Sequence, residues 1–67
     1  MGYVIYEQLN NGKRRYVDQD DCQRNNIADG KKWVNVPDMI RKAYRLRERW
    51  DTPYVFWEKV SAPLTNN

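Results

Sequence analysis

Near its start the chain has an Asn-Gly pair between two runs rich in β-branched and aromatic residues. Residues 3–9 (YVIYEQL) lead into the segment NNGK, and residues 13–17 (KRRYV) follow at once. Asn-Gly between two runs of this kind is the strongest short-range signal for a β-hairpin. The sequence therefore predicts an antiparallel hairpin over residues 3–17.

Two hairpin registers are compatible with this turn. A two-residue turn at Asn11-Gly12 pairs Tyr6 with Val17, whereas a three-residue turn with Gly12 in the left-handed conformation pairs Tyr6 with Tyr16. The second register also pairs Ile5 with Val17 and Glu7 with Arg15. We expect the three-residue turn, because it places similar side chains and opposite charges across from one another.

A helix and a last strand follow a long polar connection. Residues 18–32 are rich in Asp and Asn, and loops of this length are usually functional or mobile. Residues 37–50 begin with Pro and Asp, which suit a helix N-terminus, and their apolar residues recur at helical spacing. The apolar stripe consists of Val36, Met39, Ile40, Ala43, Leu46 and Trp50. Residues 54–60 (YVFWEKV) predict the last strand, and we expect residues 61–67 to form a frayed tail.

This order of elements predicts an α+β fold with topology β-β-α-β. A helix that crosses back over a hairpin brings the third strand antiparallel to the first, so we predict a three-stranded antiparallel sheet in the order 2-1-3. The helix covers one face of that sheet. We expect residues 1–67 to form a single domain, and a chain this short buries only about 60% of its unfolded surface. Its single Cys excludes an internal disulfide, so three Trp, five Tyr and one Phe must supply much of the core.

One helix leaves the second face of such a sheet uncovered. Side-chain alternation places Tyr6 and Tyr16 together, and we assign both, with Trp57, to this open face. Exposed apolar faces usually mark interfaces. The sequence allows two ways of covering this face. Either the loop 18–32 folds over it with Ile27 packed on the sheet, or a second copy of the chain pairs along the unprotected last strand. We expect a homodimer.

The helix carries a row of basic residues opposite its apolar stripe. The basic row consists of Arg41, Lys42, Arg45 and Arg49. Like charges four residues apart on a helix cost about 0.2–0.5 kcal/mol, so the row is either a solvated helix back or a surface for an anionic partner. A second basic cluster at the hairpin tip consists of Lys13, Arg14 and Arg15. Arg47 falls inside the apolar arc, and we expect it to reach the rim, stack on a Trp or pair with an acid of residues 18–21.

The residues that catalysis or metal binding requires are scarce. The chain has no His, and Cys22 lies in an acidic segment that disfavours the thiolate. The DQDD run at 18–21 lacks the glycine and the distal Glu of a calcium loop. We therefore predict no enzyme, no metal site and no cofactor. No apolar run approaches the roughly 20 residues of a membrane span, and the N-terminus lacks a signal-peptide layout, so we expect no membrane association and a cytoplasmic protein.

The remaining features favour an interaction protein. Tyr, Trp and Arg are enriched at interfaces, and this chain has many of them. We expect a non-enzymatic regulatory protein that docks on a protein or nucleoprotein partner, favouring an acidic protein surface, through the basic row, the aromatic sheet face or both. The alternative is a nucleic-acid-binding module that contacts phosphates through the helix and the hairpin tip, in line with the sequence pI of about 9.2. The layout of a tight hairpin, one helix and a final strand resembles that of some small phage-encoded inhibitors of host enzymes. The resemblance implies an inhibitor of a host or defence protein that acts in the host cytoplasm.

Overall fold

The computed structural model describes residues 2–60, in which one helix packs on an antiparallel sheet of four strands. The elements are β1 (Gly2–Gln8), β2 (Arg14–Val17), β3 (Gln23–Arg24), a 3-10 turn (Ile27–Asp29), α1 (Val36–Arg49) and β4 (Val55–Val60). The sheet order is β3-β2-β1-β4, and every pair of neighbouring strands is antiparallel. The α+β class and the interior position of β1 are therefore confirmed. No helix within residues 2–60 has the length and apolarity that a membrane span requires. The predicted tail, residues 61–67, lies outside the described residues.

The prediction of three strands is wrong, because residues 18–22 turn the chain back on itself and create β3. The Oδ1 atom of Asp18 accepts hydrogen bonds from the backbone N–H groups of Asp20 and Cys22, both at 2.9 Å. Asp21 adopts the left-handed conformation, with φ of 63°. β3 then pairs with the last two residues of β2. Because β3 is only two polar residues long, no apolar alternation marks it in the sequence.

The hairpin of β1 and β2 has the expected three-residue register. Tyr6 lies opposite Tyr16, and Glu7 lies opposite Arg15. Gly12 has φ of 84°, a conformation that costs glycine little because it has no Cβ. The register predicted from cross-strand pairing is confirmed.

The register between β1 and β4 corrects one predicted site residue. Ile5 lies opposite Trp57, and Tyr6 lies opposite Phe56. Residues directly opposite each other share a face, so Trp57 lies with Ile5 on the helix side. Its ring packs on the core and meets the ring of Tyr44 edge-on, with centroids 6.4 Å apart. The assignment of Trp57 to the open face is wrong because that assignment requires the β1–β4 register, which alternation within β4 does not specify.

The helix begins and ends with specific backbone contacts. The side chain of Asn35 accepts a hydrogen bond from the N–H of Asp38 at 3.1 Å and so caps the first turn. At the other end Asp51 has φ of 51°, and the N–H of Thr52 donates to the carbonyl of Arg47 at 3.0 Å. This arrangement is a Schellman motif with Asp in place of the usual Gly. The helix begins and ends one residue earlier than predicted.

The predicted apolar stripe of α1 forms the core with residues of the sheet. The buried cluster consists of Ile5, Val17, Met39, Ala43, Leu46 and Val55. Ile40 and Trp50 are half-buried at its margin. Met39, Ala43 and Leu46 recur on one side of the helix, so a single stripe closes the helix side of the sheet.

The loop 18–32 covers part of the second sheet face. A Cβ atom on Gly30 would lie 2.7 Å from Cγ2 of Val4 and 3.2 Å from Cβ of Tyr16, so the loop backbone lies directly on this face. Val4 is fully buried, and Ile27 is half-buried. Of the two coverings considered from the sequence, the loop provides this part.

Candidate functional site

Two residues of the basic row hold the 18–22 turn against α1. Nζ of Lys42 lies 2.8 Å from both carboxylate oxygens of Asp21, with hydrogen-bond geometry towards Oδ2. Nη1 of Arg49 lies 3.3 Å from the same Oδ2. The Asp21 side chain is only 18% exposed, and its charge relieves the repulsion between the two cations. Lys42 and Arg49 therefore have a structural role in this chain.

The other two residues of the basic row lie on the outer side of the helix. Arg41 forms an ion pair with Asp38, one turn earlier. Arg45 is exposed and forms no ion pair with any other residue in the range 2–60. Both line a shallow cleft of about 320 Å³ beside Trp33. Within the described chain, Arg45 is the member of the row that has no ion-pair partner.

The hairpin tip is divided between a structural arginine and two unpaired cations. Nη1 of Arg14 lies 2.6 Å from Oε1 of Glu58, and its guanidinium lies 4.1 Å above the centre of the Tyr6 ring. The hydrogen bond that Arg14 donates to the Glu58 carboxylate raises the pKa of Arg14 above its usual value. Lys13 and Arg15 form no ion pair within residues 2–60, and they line a cleft of about 720 Å³ at the tip. The tip thus presents two free charges where the sequence predicted three.

The uncovered part of the second sheet face is closed around Tyr6. Its ring centroid lies 6.2 Å from that of Tyr16 and 6.0 Å from that of Phe56, and Arg14 lies above it. Only 9% of Tyr6 is exposed. Tyr6 and Tyr16 share this face as predicted, and Phe56 occupies the place assigned to Trp57. The apolar surface that stays exposed therefore lies at β4 and not at the centre of the sheet.

Three exposed aromatic residues collect at β4, which is one edge of the sheet. Tyr44 projects from α1, Tyr54 immediately precedes β4 and Phe56 lies within it, with exposed fractions of 53%, 54% and 37%. The Cζ atom of Arg47 lies 4.9 Å from the Tyr44 ring centre and 5.7 Å from the Phe56 ring centre. Since Tyr44 lies on the helix side and Phe56 on the opposite side, Arg47 reaches around the sheet edge. Tyr44, Arg47, Tyr54 and Phe56 are hereafter named the edge patch.

Arg47 also caps the backbone of β4. Its Nε and Nη2 atoms donate to the carbonyl of Val55 at 2.9 Å and 2.8 Å. No acidic side chain of residues 2–60 pairs with it. Contrary to two of the three expectations, it neither stacks on a Trp nor pairs with an acid of the 18–21 segment. A half-buried guanidinium thus lies between aromatic rings without a counter-charge in the described chain.

The sequence does not single out the aromatic residues of the edge patch. Tyr44 lies beyond the apolar stripe of the helix, and its proximity to β4 is a tertiary contact. Phe56 becomes an open-face residue only through the register that places it opposite Tyr6. The one signal available in the sequence is Arg47, a charged residue within the apolar arc.

The acidic segment 18–21 has a structural role in the turn before β3. The pKa of Asp18 is lowered below its usual value, mainly because its carboxylate accepts a hydrogen bond from the N–H of Cys22. Arg24 contributes an ion pair at 3.0 Å. Cys22 itself is exposed and free. No group of three or more potential metal-ligating side chains occurs in the part of the chain that the structure describes.

Comparison with known proteins returned no match. No family model matches the chain, and no curated protein or solved structure matches it either. The edge patch and the basic clusters are therefore interpreted from their own geometry.

Proposed function

We propose that the chain is a non-enzymatic docking protein that binds an acidic surface of a partner protein through the edge patch. The observation that carries this proposal is Arg47, half-buried between Tyr44 and Phe56 and without a counter-charge in residues 2–60. Tyr and Arg are enriched among the residues that dominate binding energy at interfaces. A partner carboxylate at this position supplies the missing charge, and the rings around it exclude water.

The internal ion pairs move the proposed site away from the basic row. Asp21 and Asp38 form ion pairs with three of the four row residues, so within residues 2–60 Arg45 is the one member of the row without an acidic partner. The edge patch keeps its positive charge and exposes three aromatic side chains beside it. The net charge of +3 favours encounter with an acidic protein.

A protein of this size with one such patch suits a regulator that acts by occupying a surface of its partner. The resemblance in layout to small phage-encoded inhibitors supports this role, as does the scarcity of catalytic side chains in the sequence. The same resemblance leads us to propose that the protein acts in the cytoplasm.

A second candidate function is nucleic-acid binding at the hairpin tip. The supporting observation is the cleft of about 720 Å³ in which the unpaired Lys13 and Arg15 lie beside Tyr16. Two cations and one ring suit a short stretch of single-stranded backbone and one stacked base. This candidate ranks second because Glu58 holds the intervening Arg14.

The test is a capture experiment with the immobilised protein and three sets of substitutions, with and without nuclease. The edge variant carries Tyr44→Ser and Phe56→Thr. The row variant carries Arg41→Ala and Arg45→Ala, and the tip variant carries Lys13→Ala and Arg15→Ala; Arg49 and Lys42 are left intact because they bind Asp21. Circular dichroism establishes that every variant is folded.

The proposal expects a protein that survives nuclease, is captured by wild type and by the row and tip variants, and is lost by the edge variant. The captured protein is then purified, and its affinity for each variant is measured. Unchanged affinity for the edge variant refutes the edge patch as the docking site. Capture of nucleic acid alone, with steep salt dependence and loss in the tip variant, establishes the second candidate.

Sedimentation tests the predicted homodimer separately. A monomer at high micromolar concentration rules it out. A dimer that the edge variant abolishes assigns the edge patch to a second copy of the chain and not to another protein.

A further inference from the structure

The outer side of β4 presents unpaired backbone groups. The N–H of Gln8 donates to the carbonyl of Tyr54 at 2.8 Å, which fixes the phase of the antiparallel ladder between β1 and β4. Because hydrogen-bonded and non-hydrogen-bonded pairs alternate, the backbone groups of Trp57 and Lys59 point away from β1. No strand within residues 2–60 lies on that side, since β4 is the last strand in the sheet order. These groups form a template for one more strand.

Arg47 lies at one end of this template. Arg47 donates two hydrogen bonds to the outward carbonyl of Val55. An incoming strand therefore contacts a guanidinium at this point of the edge. The third nitrogen, Nη1, makes no hydrogen bond with residues 2–60. From Val55 to Lys59 the edge is about 13 Å long at the usual rise of a strand. A partner segment of about four residues is therefore long enough to reach from the unpaired backbone groups of Trp57 and Lys59 to the guanidinium of Arg47.

A second copy of this chain does not fit the edge well. Antiparallel pairing of two β4 strands about Trp57 brings Lys59 of one copy beside Val55, and hence beside Arg47, of the other. Two positive charges then approach each other at each end, and like charges across a strand pair are destabilising. The bond from Arg47 to the Val55 carbonyl must also break in both copies. The charge of the edge favours an acidic occupant.

We propose that the edge of β4 accepts an extended, acidic segment of the partner as an additional strand. The backbone of this segment pairs with the outward groups of Trp57 and Lys59, and a carboxylate of the segment binds Arg47. Main-chain hydrogen bonds supply affinity, and the carboxylate supplies specificity. This inference rests on the proposed docking function and names the mode of docking.

The test uses defined peptides and amide chemical shifts of the ¹⁵N-labelled protein. The probe is an acetylated and amidated eight-residue peptide of alternating Val and Thr with one Glu. Because the peptide can slide along the edge, one Glu suffices to reach Arg47. Matched peptides carry Gln in place of Glu, or N-methyl groups on consecutive amides, so that neither edge of the peptide strand keeps its N–H donors. We expect the amides of Trp57 and Lys59 to shift with the Glu peptide, about three- to fivefold weaker binding of the Gln peptide and no binding of the methylated peptide.

Three protein variants separate the backbone from the charge. Lys59→Pro removes an outward N–H without removing a bond to β1, and Lys59→Ala is its matched control. Arg47→Gln retains a donor for the Val55 carbonyl and removes the charge. We expect Lys59→Pro to abolish binding and Lys59→Ala to preserve it. Arg47→Gln should bind the Glu and Gln peptides equally.

The proposal is overturned if the Trp57 and Lys59 amides do not respond to millimolar Glu peptide, or if Glu and Gln peptides bind wild type equally. It is also overturned if a folded Lys59→Pro variant binds as well as wild type; a Lys59→Pro variant that does not fold leaves the two peptide comparisons as the decisive tests. If the purified partner binds Lys59→Pro as tightly as wild type but loses affinity for both Arg47→Gln and the edge variant, strand addition is refuted and the docking function stands. Failure of wild type to bind any protein refutes the docking function itself.

Discussion

The substitution Gly30→Ala tests whether the loop 18–32 rests on the sheet. Gly30 has φ of −72°, so its backbone conformation suits alanine, and any penalty must come from packing. The new Cβ would lie 2.7 Å from Cγ2 of Val4, which is fully buried and not free to move, and 3.2 Å from Cβ of Tyr16. Overpacking of this kind costs about 1–3 kcal/mol, and the lower entropy of the unfolded alanine chain offsets about 0.4–1 kcal/mol.

We therefore expect Gly30→Ala to lower the free energy of unfolding by about 1–2 kcal/mol, which corresponds to a fall of about 4–16 °C in Tm for a chain of this size. Urea and thermal denaturation followed by circular dichroism measure both quantities. The matched control is the same substitution in a Val4→Ala background, which removes Cγ2. There the penalty should shrink to near zero or change sign.

Two outcomes contradict this placement of the loop. If Gly30→Ala is neutral or stabilising in the wild-type background, the loop does not lie on Val4. If the penalty is the same with and without Val4→Ala, the overlap is with another group.

Gly12→Ala is a useful contrast, because Gly12 has open space around it and φ of 84°. Its cost, about 1–2 kcal/mol for a left-handed residue, should not depend on residue 4.

Three further predictions concern single aspartates. Asp21→Asn removes the negative charge between Lys42 and Arg49. Urea denaturation should show a free energy of unfolding lower by about 1–2 kcal/mol, a modest loss because solvent partly screens the two ion pairs. An effect that does not decrease at high salt contradicts an electrostatic origin. Asp51→Gly places glycine at the left-handed position after α1 and should raise Tm, with a gain of about 0.5–1 kcal/mol; a loss of stability contradicts the assigned cap. The lowered pKa of Asp18 stabilises the fold above the ordinary carboxyl range, at about pH 4 and higher, and this contribution is lost as pH falls through the folded-state pKa. The difference in unfolding free energy between wild type and Asp18→Asn should therefore shrink on acidification, and a constant difference from pH 7 to pH 2 contradicts this role.

Local chemistry explains the parts of the fold that were predictable. The hairpin register depends on Gly12 and on pairs such as Glu7 with Arg15, which lie within a few residues of the turn. The helix stripe depends on spacing alone, so Met39, Ala43 and Leu46 are identified as core residues before any partner is known. The interior position of β1 follows because YVIY is apolar on both faces.

The features that were missed depend on contacts between distant segments. β3 exists because the side chain of Asp18 shapes a turn, and two polar residues carry no periodic signal. The basic row looked unbalanced because its acid, Asp21, lies 21 residues before Lys42 in the sequence. Tyr44 and Phe56 become neighbours of Arg47 only when β4 lies beside α1.

Turn geometry and residue periodicity act over a few residues, so sequence alone predicts the α+β class, the hairpin and its register, and the apolar side of the helix. In contrast, the pairing of charges and the exposure of the aromatic rings are properties of the folded chain. Those properties depend on the pairing of β4 with β1 and on the contact of the 18–22 turn with α1, and both bring together residues more than 20 positions apart. The edge patch belongs to this second group, since its positive charge and its rings meet at a sheet edge that local sequence patterns do not describe.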